Sequence, residues 1–154
     1  MTLYFAYGSN MSRAGMKARC PGARVVGAAR LDNYRFFVGI DGWGSVKPSL
    51  GDAVHGVLWK LTMRDVAAMH AYELLHAGLY DVRVLPVRMG AQLKPAMTYL
   101  LRRRAPGKPK PGYIELIAAA ARDWKLPEPY IETVERWSTS RFTGGRVIDA
   151  GELA

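Results

Sequence analysis

The sequence predicts an α+β fold, with helices near the two ends of the chain and one in its middle. Strand-like segments mostly follow other strand-like segments, helical patterns occur near both ends and once centrally, and no internal repeat is present. Regular alternation of strands and helices would instead indicate a doubly wound parallel sheet. At 154 residues, the chain is most simply one domain, 1–154, with its own core.

The first part of the chain alternates between strand and turn signals. Alternating aromatic and small residues predict a strand at Leu3–Tyr7, and Ser12 is placed to cap a helix that ends at Arg19. Segments rich in valine and phenylalanine then predict strands at Arg24–Leu31 and Tyr34–Gly39.

The central part contains a loop, a strand and a capped helix. The glycine-rich segment Asp41–Ser45 predicts a loop, with Trp43 exposed or folded over a neighbouring pocket, and Ala53–Lys60 predicts a strand. Thr62 followed by Asp65 is a variant of the capping box and marks the start of the central helix.

The last part returns to strands and ends in two helices. Strands are predicted at Tyr80–Val87, where Pro86 favours a sheet edge or a bulge, and at Ala96–Leu101. Helices are predicted at Tyr113–Trp124 and Pro129–Ser138. The second of these places Tyr130, Val134 and Trp137 on one apolar stripe.

The composition is typical of a soluble globular protein, with 49% hydrophobic and 23% charged residues. No apolar run is long enough to predict a membrane span, and no secretory signal pattern opens the chain. The single cysteine, Cys20, lies in a helix-ending turn and is interpreted as structural. These features together favour a cytoplasmic location.

The chain has a net charge of +9, and its basic residues are densest in Arg102–Arg104 and at Lys108 and Lys110. Three interpretations remain: a solvated basic edge, which we favour, a nucleic-acid surface, and attraction of a small anionic substrate. No nucleic-acid-binding motif accompanies the charge, so a nucleic-acid partner is not expected. Three scattered histidines and one cysteine do not predict a metal site.

The segment Tyr4-Phe5-Ala6-Tyr7-Gly8-Ser9-Asn10 joins the first predicted strand to a turn. Gly-Ser-Asn favours tight turns and helix starts, where backbone N–H groups remain unpaired. Such amides can hold a carboxylate, a phosphate or a developing oxyanion. The pattern alone also leaves open an ordinary strand-to-helix turn.

The apolar stripe of the central helix runs through Val66, Met69 and His70 and then reaches Glu73. A carboxyl group on this inward face loses solvation, and we expect its pKa to rise from about 4.3 to roughly 6 or 7. A general acid/base at neutral pH needs a pKa in that range. The alternative is that Glu73 ends the helix and turns to solvent or pairs with an arginine.

Several of these segments together resemble a known family. The stretch Tyr4 to Met11 resembles the N-terminal signature of the γ-glutamylcyclotransferase family, which includes the AIG2-like proteins. The resemblance continues in these stretches: Ala29-Arg30-Leu31-Asp32-Asn33-Tyr34, Gly51 to Lys60, the helix with Glu73 up to Gly78-Leu79-Tyr80, Pro111-Gly112-Tyr113, and Leu126-Pro127. Tyr-Gly-Ser-Asn followed by Val-x-Gly-Val-x-Trp-x-Leu and a glutamate before Gly-x-Tyr is a specific combination.

The resemblance implies a compact, barrel-like mixed sheet with peripheral helices and a cavity at one end. It places the catalytic carboxyl group on Glu73. Its substrate-binding residues fall on the N-terminal loop and on three tyrosines: Tyr4, Phe5, Ala6, Tyr7, Gly8, Ser9, Tyr80, Tyr99 and Tyr113. Leu74 stands where glycine commonly follows the glutamate in this family, which bears on the identity of the substrate.

The activity implied is the cleavage of a small γ-glutamyl amide, whose own α-amino group attacks the γ-carbonyl to release 5-oxoproline and an amine. No cofactor or metal is expected. Ser9 is a less favoured nucleophile, because no histidine has the context of a partner base, and His55, His70 and His76 are interpreted as structural or surface residues. A non-catalytic ligand-binding protein of the same fold is the alternative. The sequence names neither the leaving amine nor the oligomeric state.

Overall fold

In the computed structural model, which describes residues 1–73 and 77–139, five strands close into a barrel. They are β1 (Thr2–Ala6), β2 (Arg24–Val38), β3 (Gly44–Leu61), β4 (Tyr80–Met89) and β5 (Gln92–Leu101). Their order around the barrel is β1-β3-β2-β4-β5. Only the β1–β5 pairing is parallel among the described strands, so the sheet is mixed. The predicted α+β class with a barrel-like sheet is confirmed.

Strands β2 and β3 are longer than predicted. The two expected segments, 24–31 and 34–39, form one continuous strand of 15 residues. The ladder between β2 and β3 shifts register between Asp32 and Tyr34, where Asn33 has a φ of 63°. The sequence break therefore marks a bulge within a strand, since an extra residue interrupts the ladder without ending it. The loop predicted at 41–45 is also shorter, because Gly44 already pairs with Val38.

The helices begin and end close to their predicted positions. They are α1 (Arg13–Arg19), α2 (Met63–Tyr72), α3 (Tyr113–Asp123) and α4 (Glu128–Thr139), and a short 3-10 helix, Ser9–Met11, precedes α1. The Ser12 side chain accepts a hydrogen bond from the Gly15 amide, as its predicted N-cap role requires. Thr62 and Asp65 form both bonds of the predicted capping box at the start of α2. Tyr130 and Val134 of α4 are buried, and Trp137 packs against the core from the edge.

Of the two positions predicted for Pro86, a sheet edge or a bulge, the structure excludes the bulge. Pro86 lies opposite Pro95 in an unbroken register between β4 and β5. On its other side, β4 meets β2 through one register pair, Arg30 with Arg88. Pro86 therefore lies beside a sparsely paired junction of the barrel, where its missing N–H group interrupts few hydrogen bonds.

Two features are absent from the described residues. None of the helices found there is both long and apolar enough to cross a membrane. The same residues contain no group of three or more histidine, cysteine, aspartate or glutamate side chains that could hold a metal ion. Cys20 is buried, and burial raises the pKa of its thiol.

Candidate active site

A cavity of about 280 Å³ lies beside the end of β1. More than half of its lining residues are aromatic, several others lie in the turn after β1, and one carries a carboxyl group. The lining consists of Tyr4, Tyr7, Gly8, Ser9, Asn10, Trp43, Gly44, Tyr72, Glu73, Leu79, Tyr80, Tyr99 and Tyr113. These residues come from β1, β3, β4, β5, α2 and α3 and the segments beside them, so the closed barrel brings together what the sequence separates.

Most residues predicted for the site line this cavity. Glu73 does, as do seven of the predicted binding residues: Tyr4, Tyr7, Gly8, Ser9, Tyr80, Tyr99 and Tyr113. Phe5 and Ala6 do not. Phe5 is fully buried and packs against Gly56, where an added Cβ would lie 2.9 Å from its ring carbons. Because successive side chains of a strand point to opposite faces, Phe5 points away from the side on which its neighbour Tyr4 lines the cavity. Ala6 is buried in the core.

Glu73 is the C-terminal cap of α2, and its backbone amide bonds to the Met69 carbonyl at 2.9 Å. One carboxyl oxygen, Oε1, accepts a hydrogen bond of 3.0 Å from the Asn10 side chain. Burial raises the pKa of Glu73 to about 7, although the Arg19 charge and the Asn10 hydrogen bond act in the opposite direction. Glu73 therefore ends the helix through its backbone, while its carboxyl group faces the cavity. Its pKa lies in the range predicted from the helix pattern.

Three of the cavity tyrosines have hydroxyl groups that are hydrogen-bonded to the surrounding backbone. The Tyr7 hydroxyl donates to the Tyr99 carbonyl at 2.5 Å, and the Tyr80 hydroxyl donates to the Gly44 carbonyl at 3.0 Å. The Gly44 amide in turn donates to the Tyr113 hydroxyl at 2.9 Å. Burial raises the pKa of each of these tyrosines, so their hydroxyls stay protonated near neutral pH.

The turn after β1 leaves backbone amides at the cavity wall. The first hydrogen bond of the 3-10 helix is donated by the Met11 amide to the Gly8 carbonyl at 3.1 Å, so the Ser9 and Asn10 amides precede it. A Cβ atom on Gly8 would lie 3.2 Å from the Tyr113 hydroxyl. Glycine therefore keeps this backbone close to the aromatic wall.

Asn10 is a site residue that sequence reasoning did not select. Its buried amide nitrogen donates to Glu73 and to the Tyr4 hydroxyl at 2.9 Å, and its carbonyl oxygen accepts from Arg19 at 2.5 Å. Asn10 closes the Tyr-Gly-Ser-Asn motif, but the motif by itself indicates only that Asn10 favours a turn. Its hydrogen bonds depend on residues distant in sequence.

The histidines differ in their surroundings. His70, expected to be structural or on the surface, is half-buried, and its Nδ1 lies 2.6 Å from the hydroxyl of the cavity residue Tyr99. His55 is half-buried against the Tyr130 ring, away from this cavity. His76 and Leu74 lie outside the described residues.

Two partly exposed aromatic residues stand at the cavity mouth. Trp43 is 37% exposed and meets the Tyr113 ring edge-on at 5.2 Å, so it is both exposed and folded over the pocket. Tyr72 is 47% exposed and carries the Arg19 guanidinium over its ring. From the basic segment, Lys110 reaches the mouth, with Nζ 6.0 Å from the centre of the Trp43 ring.

Comparison with known proteins gives consistent results for sequence and fold. A model of the AIG2-like family matches residues 53–134. The γ-glutamylcyclotransferase of Homo sapiens is 28% identical over 155 residues, covering 92% of this chain and 81% of the relative. That of Mus musculus is 27% identical over 154 residues with the same coverage. A solved structure named γ-glutamyl cyclotransferase matches with a TM-score of 0.82 at 26% identity, covering 96% of this chain and 94% of the other.

Proposed function

The chain belongs to the AIG2-like family, and from this premise we propose that it is a γ-glutamylcyclotransferase-type enzyme. It cleaves a γ-glutamyl amide and releases 5-oxoproline and a free amine or amino acid. The observation that carries the proposal is the Glu73 carboxyl group, which lies in the wall of a tyrosine-lined cavity with a pKa raised by burial to about 7.

The substrate supplies its own nucleophile in this reaction. The α-amino nitrogen attacks the γ-carbonyl carbon, a five-membered lactam ring closes, and the bond from that carbon to the leaving nitrogen breaks. The enzyme must hold the γ-glutamyl chain in a folded conformation, and such orientation can supply about 7–11 kcal/mol. A cavity in which the hydroxyls of Tyr7, Tyr80 and Tyr113 are held by backbone hydrogen bonds is suited to this task.

Glu73 moves the protons. The α-amino group is an ammonium ion near neutral pH, so a base must take a proton before attack, and the leaving nitrogen must gain one as its bond breaks. A carboxyl group with a pKa near 7 can accept the first proton and return it to the leaving nitrogen. The attacking nitrogen loses a second proton as the lactam forms, and the released amine takes up one more to become an ammonium ion, so the reaction balances with atoms of the substrate alone.

The turn after β1 receives the developing negative charge. As the γ-carbonyl becomes tetrahedral, its oxygen gains charge and needs donors that are already in place. The amides at Gly8 and Ser9 lie in the cavity wall and are our candidates for these donors. Removal of one such donor typically costs about 3–4 kcal/mol of transition-state stabilisation.

A panel of γ-glutamyl amides tests the proposal, with 5-oxoproline measured by mass spectrometry. The panel covers γ-glutamyl amino acids, γ-glutamylamines and glutathione, because the leaving group is open. Each amide is paired with its N-acetyl form, whose α-nitrogen is no longer nucleophilic. We expect 5-oxoproline from free amides and none from N-acetyl amides. Release of glutamate from the free amides and of N-acetylglutamate from the N-acetyl amides would indicate hydrolysis instead, and no turnover across the panel would contradict the proposal.

A further inference from the structure

Arg19 lies behind the cavity wall and reaches Glu73 through Asn10. Its Nη2 donates to the Asn10 carbonyl oxygen at 2.5 Å, and the Asn10 amide nitrogen donates to Glu73 Oε1 at 3.0 Å. Arg19 is not among the residues that line the cavity. Arg19 can therefore influence the reaction only through Asn10 and through its own positive charge.

The chemistry of the guanidinium fixes the direction of this chain of hydrogen bonds. A guanidinium can donate but cannot accept, so the Asn10 atom facing Arg19 must be its carbonyl oxygen. The Asn10 NH₂ group is then turned toward Glu73 and toward the Tyr4 hydroxyl. An N–H group facing Oε1 requires that oxygen to act as an acceptor, whether Glu73 is ionised or protonated.

From this geometry we infer that Arg19 is a positioning residue for the proposed reaction. Acting through Asn10, it keeps Oε1 of Glu73 as a hydrogen-bond acceptor and so assigns the proton that Glu73 takes up and releases to Oε2. A carboxylate whose proton can sit on only one oxygen transfers it in one direction. The inference rests on the proposed function for its catalytic meaning, and on the hydrogen bonds for the placement of the proton.

Arg19 also differs in charge from the other groups that act on Glu73. Five cavity tyrosines interact electrostatically with Glu73. They come from β1 and the residue after it and from β4, β5 and α3: Tyr4, Tyr7, Tyr80, Tyr99 and Tyr113. Burial raises the pKa of each, so they remain neutral. His70 of α2 reaches this group by bonding to Tyr99. The cationic Arg19 lowers the pKa of Glu73, opposing burial, and its removal should raise that pKa further.

Gly15 provides the space that the Arg19 head group occupies. A Cβ atom added to Gly15 would lie 2.7 Å from Nη2 and 3.2 Å from Nη1 of Arg19. The guanidinium carbon of Arg19 lies 4.3 Å from the centre of the Tyr72 ring. Gly15→Ala should therefore displace the guanidinium while keeping its charge in the protein. Alanine also favours a helix over glycine by about 1 kcal/mol, so this variant is expected to fold.

The experiment compares Arg19→Gln, Arg19→Lys and Gly15→Ala with wild type, using kcat and KM across pH on an amide turned over by the wild-type enzyme. Lys17→Gln is the matched control, because it removes one positive charge from an exposed position of the same helix. We expect Arg19→Gln to lower kcat about 10- to 100-fold with little change in KM, since misplaced catalytic groups cost that much. The pH below which the activity of this variant falls should move to a higher value, because the pKa of Glu73 rises when the Arg19 charge is removed.

The other variants separate charge from geometry. Arg19→Lys keeps a donor-only cation and should restore the position of the acid limb with part of kcat. Gly15→Ala should lower kcat with a smaller shift of that limb. Lys17→Gln should match wild type. A purely structural role for Arg19 would lower the melting temperature and leave the pH profile of the folded enzyme unchanged, which would overturn the inference.

A second readout does not depend on turnover. The Glu73 carboxyl carbon can be labelled with ¹³C, assigned by its loss in Glu73→Gln, and titrated by NMR. We expect a higher pKa in Arg19→Gln than in wild type. If no amide is turned over but the carboxyl pKa still rises, the proposed function fails and the coupling to Arg19 stands. If turnover occurs but kcat, pH profile and carboxyl pKa are unchanged in Arg19→Gln and Gly15→Ala, the inference fails alone.

Discussion

Two carboxyl groups of this chain, Glu73 and Asp32, are held in opposite ways. Burial raises the pKa of Glu73 to about 7, whereas hydrogen bonds from Arg88 and the charge of Arg30 hold the pKa of Asp32 below its usual range. Arg88 Nε donates to Asp32 Oδ2 at 2.8 Å, and Arg30 Nε forms an ion pair with Oδ1 at 2.8 Å. These arginines face each other where β4 meets β2, so Asp32 reduces the repulsion between two like charges at the closure of the barrel.

Each carboxyl group also stands beside a cavity, and the two cavities have the same volume of about 280 Å³. The second cavity is bordered by Arg30 and Arg88, the partners of Asp32, and by His55 and Lys125. Volume therefore does not distinguish them. The difference lies in the electrostatics: an incompletely paired buried carboxyl group can exchange a proton near neutral pH, whereas one bound by two arginines stays ionised.

The largest expected effect separates the two carboxyl groups by activity. Glu73→Gln should lower kcat by about 10²- to 10⁴-fold, because it removes the proposed general acid/base and keeps an oxygen that can accept from Asn10. Asp32→Asn should change kcat by no more than about twofold. Steady-state release of 5-oxoproline measures both. Wild-type activity in a folded Glu73→Gln variant would assign the base to another residue.

The pH profile should reflect the Glu73 side of the comparison. Because Glu73 must be ionised to take the ammonium proton, kcat/KM should fall about tenfold per pH unit below a pKa near 7. The cavity tyrosines have raised pKa values, so they should add no limb between pH 7 and 9. Asp32→Asn should leave this profile in place. An acid limb near pH 4 would show that the group responsible is an ordinary exposed carboxyl.

Stability should respond to the two groups with opposite signs. Between pH 4.5 and about 7, the unfolded chain loses the Glu73 proton while the folded chain keeps it, so the free energy of unfolding falls as pH rises through this window. Glu73→Gln should therefore be more stable than wild type at pH 8 by about 1–3 kcal/mol. The gain should vanish below pH 4.5, as measured by urea denaturation at both pH values.

Asp32 has a lowered pKa, so its stabilisation is present above the unfolded value of 3.8 and is lost as pH falls through the folded value. Asp32→Asn should lower the free energy of unfolding at pH 7 by about 1 kcal/mol, a modest effect because these ion pairs are partly exposed. The same denaturation series measures it. Equal signs for the Asp32 and Glu73 variants at neutral pH would contradict the contrast between the two groups.

A smaller effect is expected when one hydrogen bond between a tyrosine and the backbone is removed from the first cavity, with a substitution in the second cavity for comparison. Tyr113→Phe removes the acceptor for the buried Gly44 amide and should lower the free energy of unfolding by about 1–3 kcal/mol, the cost of an unpaired buried N–H. Because Tyr113 and Gly44 both line the cavity, the variant should also raise KM. His55→Gln in the second cavity should keep kcat/KM within about twofold of wild type. An equal loss in both variants would mean that general destabilisation is being measured.

Local signals were sufficient for much of the fold. Ser12, Thr62 and Asp65 cap their helices as predicted, because capping depends on residues three or four positions apart. The bulge at Asn33 was interpreted as a break between strands, since a turn-prone residue has the same local signal whether the partner strand continues or ends. The extension of β3 back to Gly44 depends in the same way on its pairing with β2.

By itself, the sequence determined the α+β class and the N-terminal turn, because helix and strand periodicity are properties of neighbouring residues, and it left Glu73 open between an inward-facing side chain and one that ends the helix. Only the tertiary structure decided that Glu73 meets Asn10, that Arg19 stands behind Asn10, and that Phe5 and Ala6 belong to the core. Asn10 and Glu73 are separated by 63 positions, and a hydrogen bond between them exists only once the barrel has closed. The pKa that makes the carboxyl group useful is a consequence of that closure, since desolvation requires the rest of the fold to exclude water.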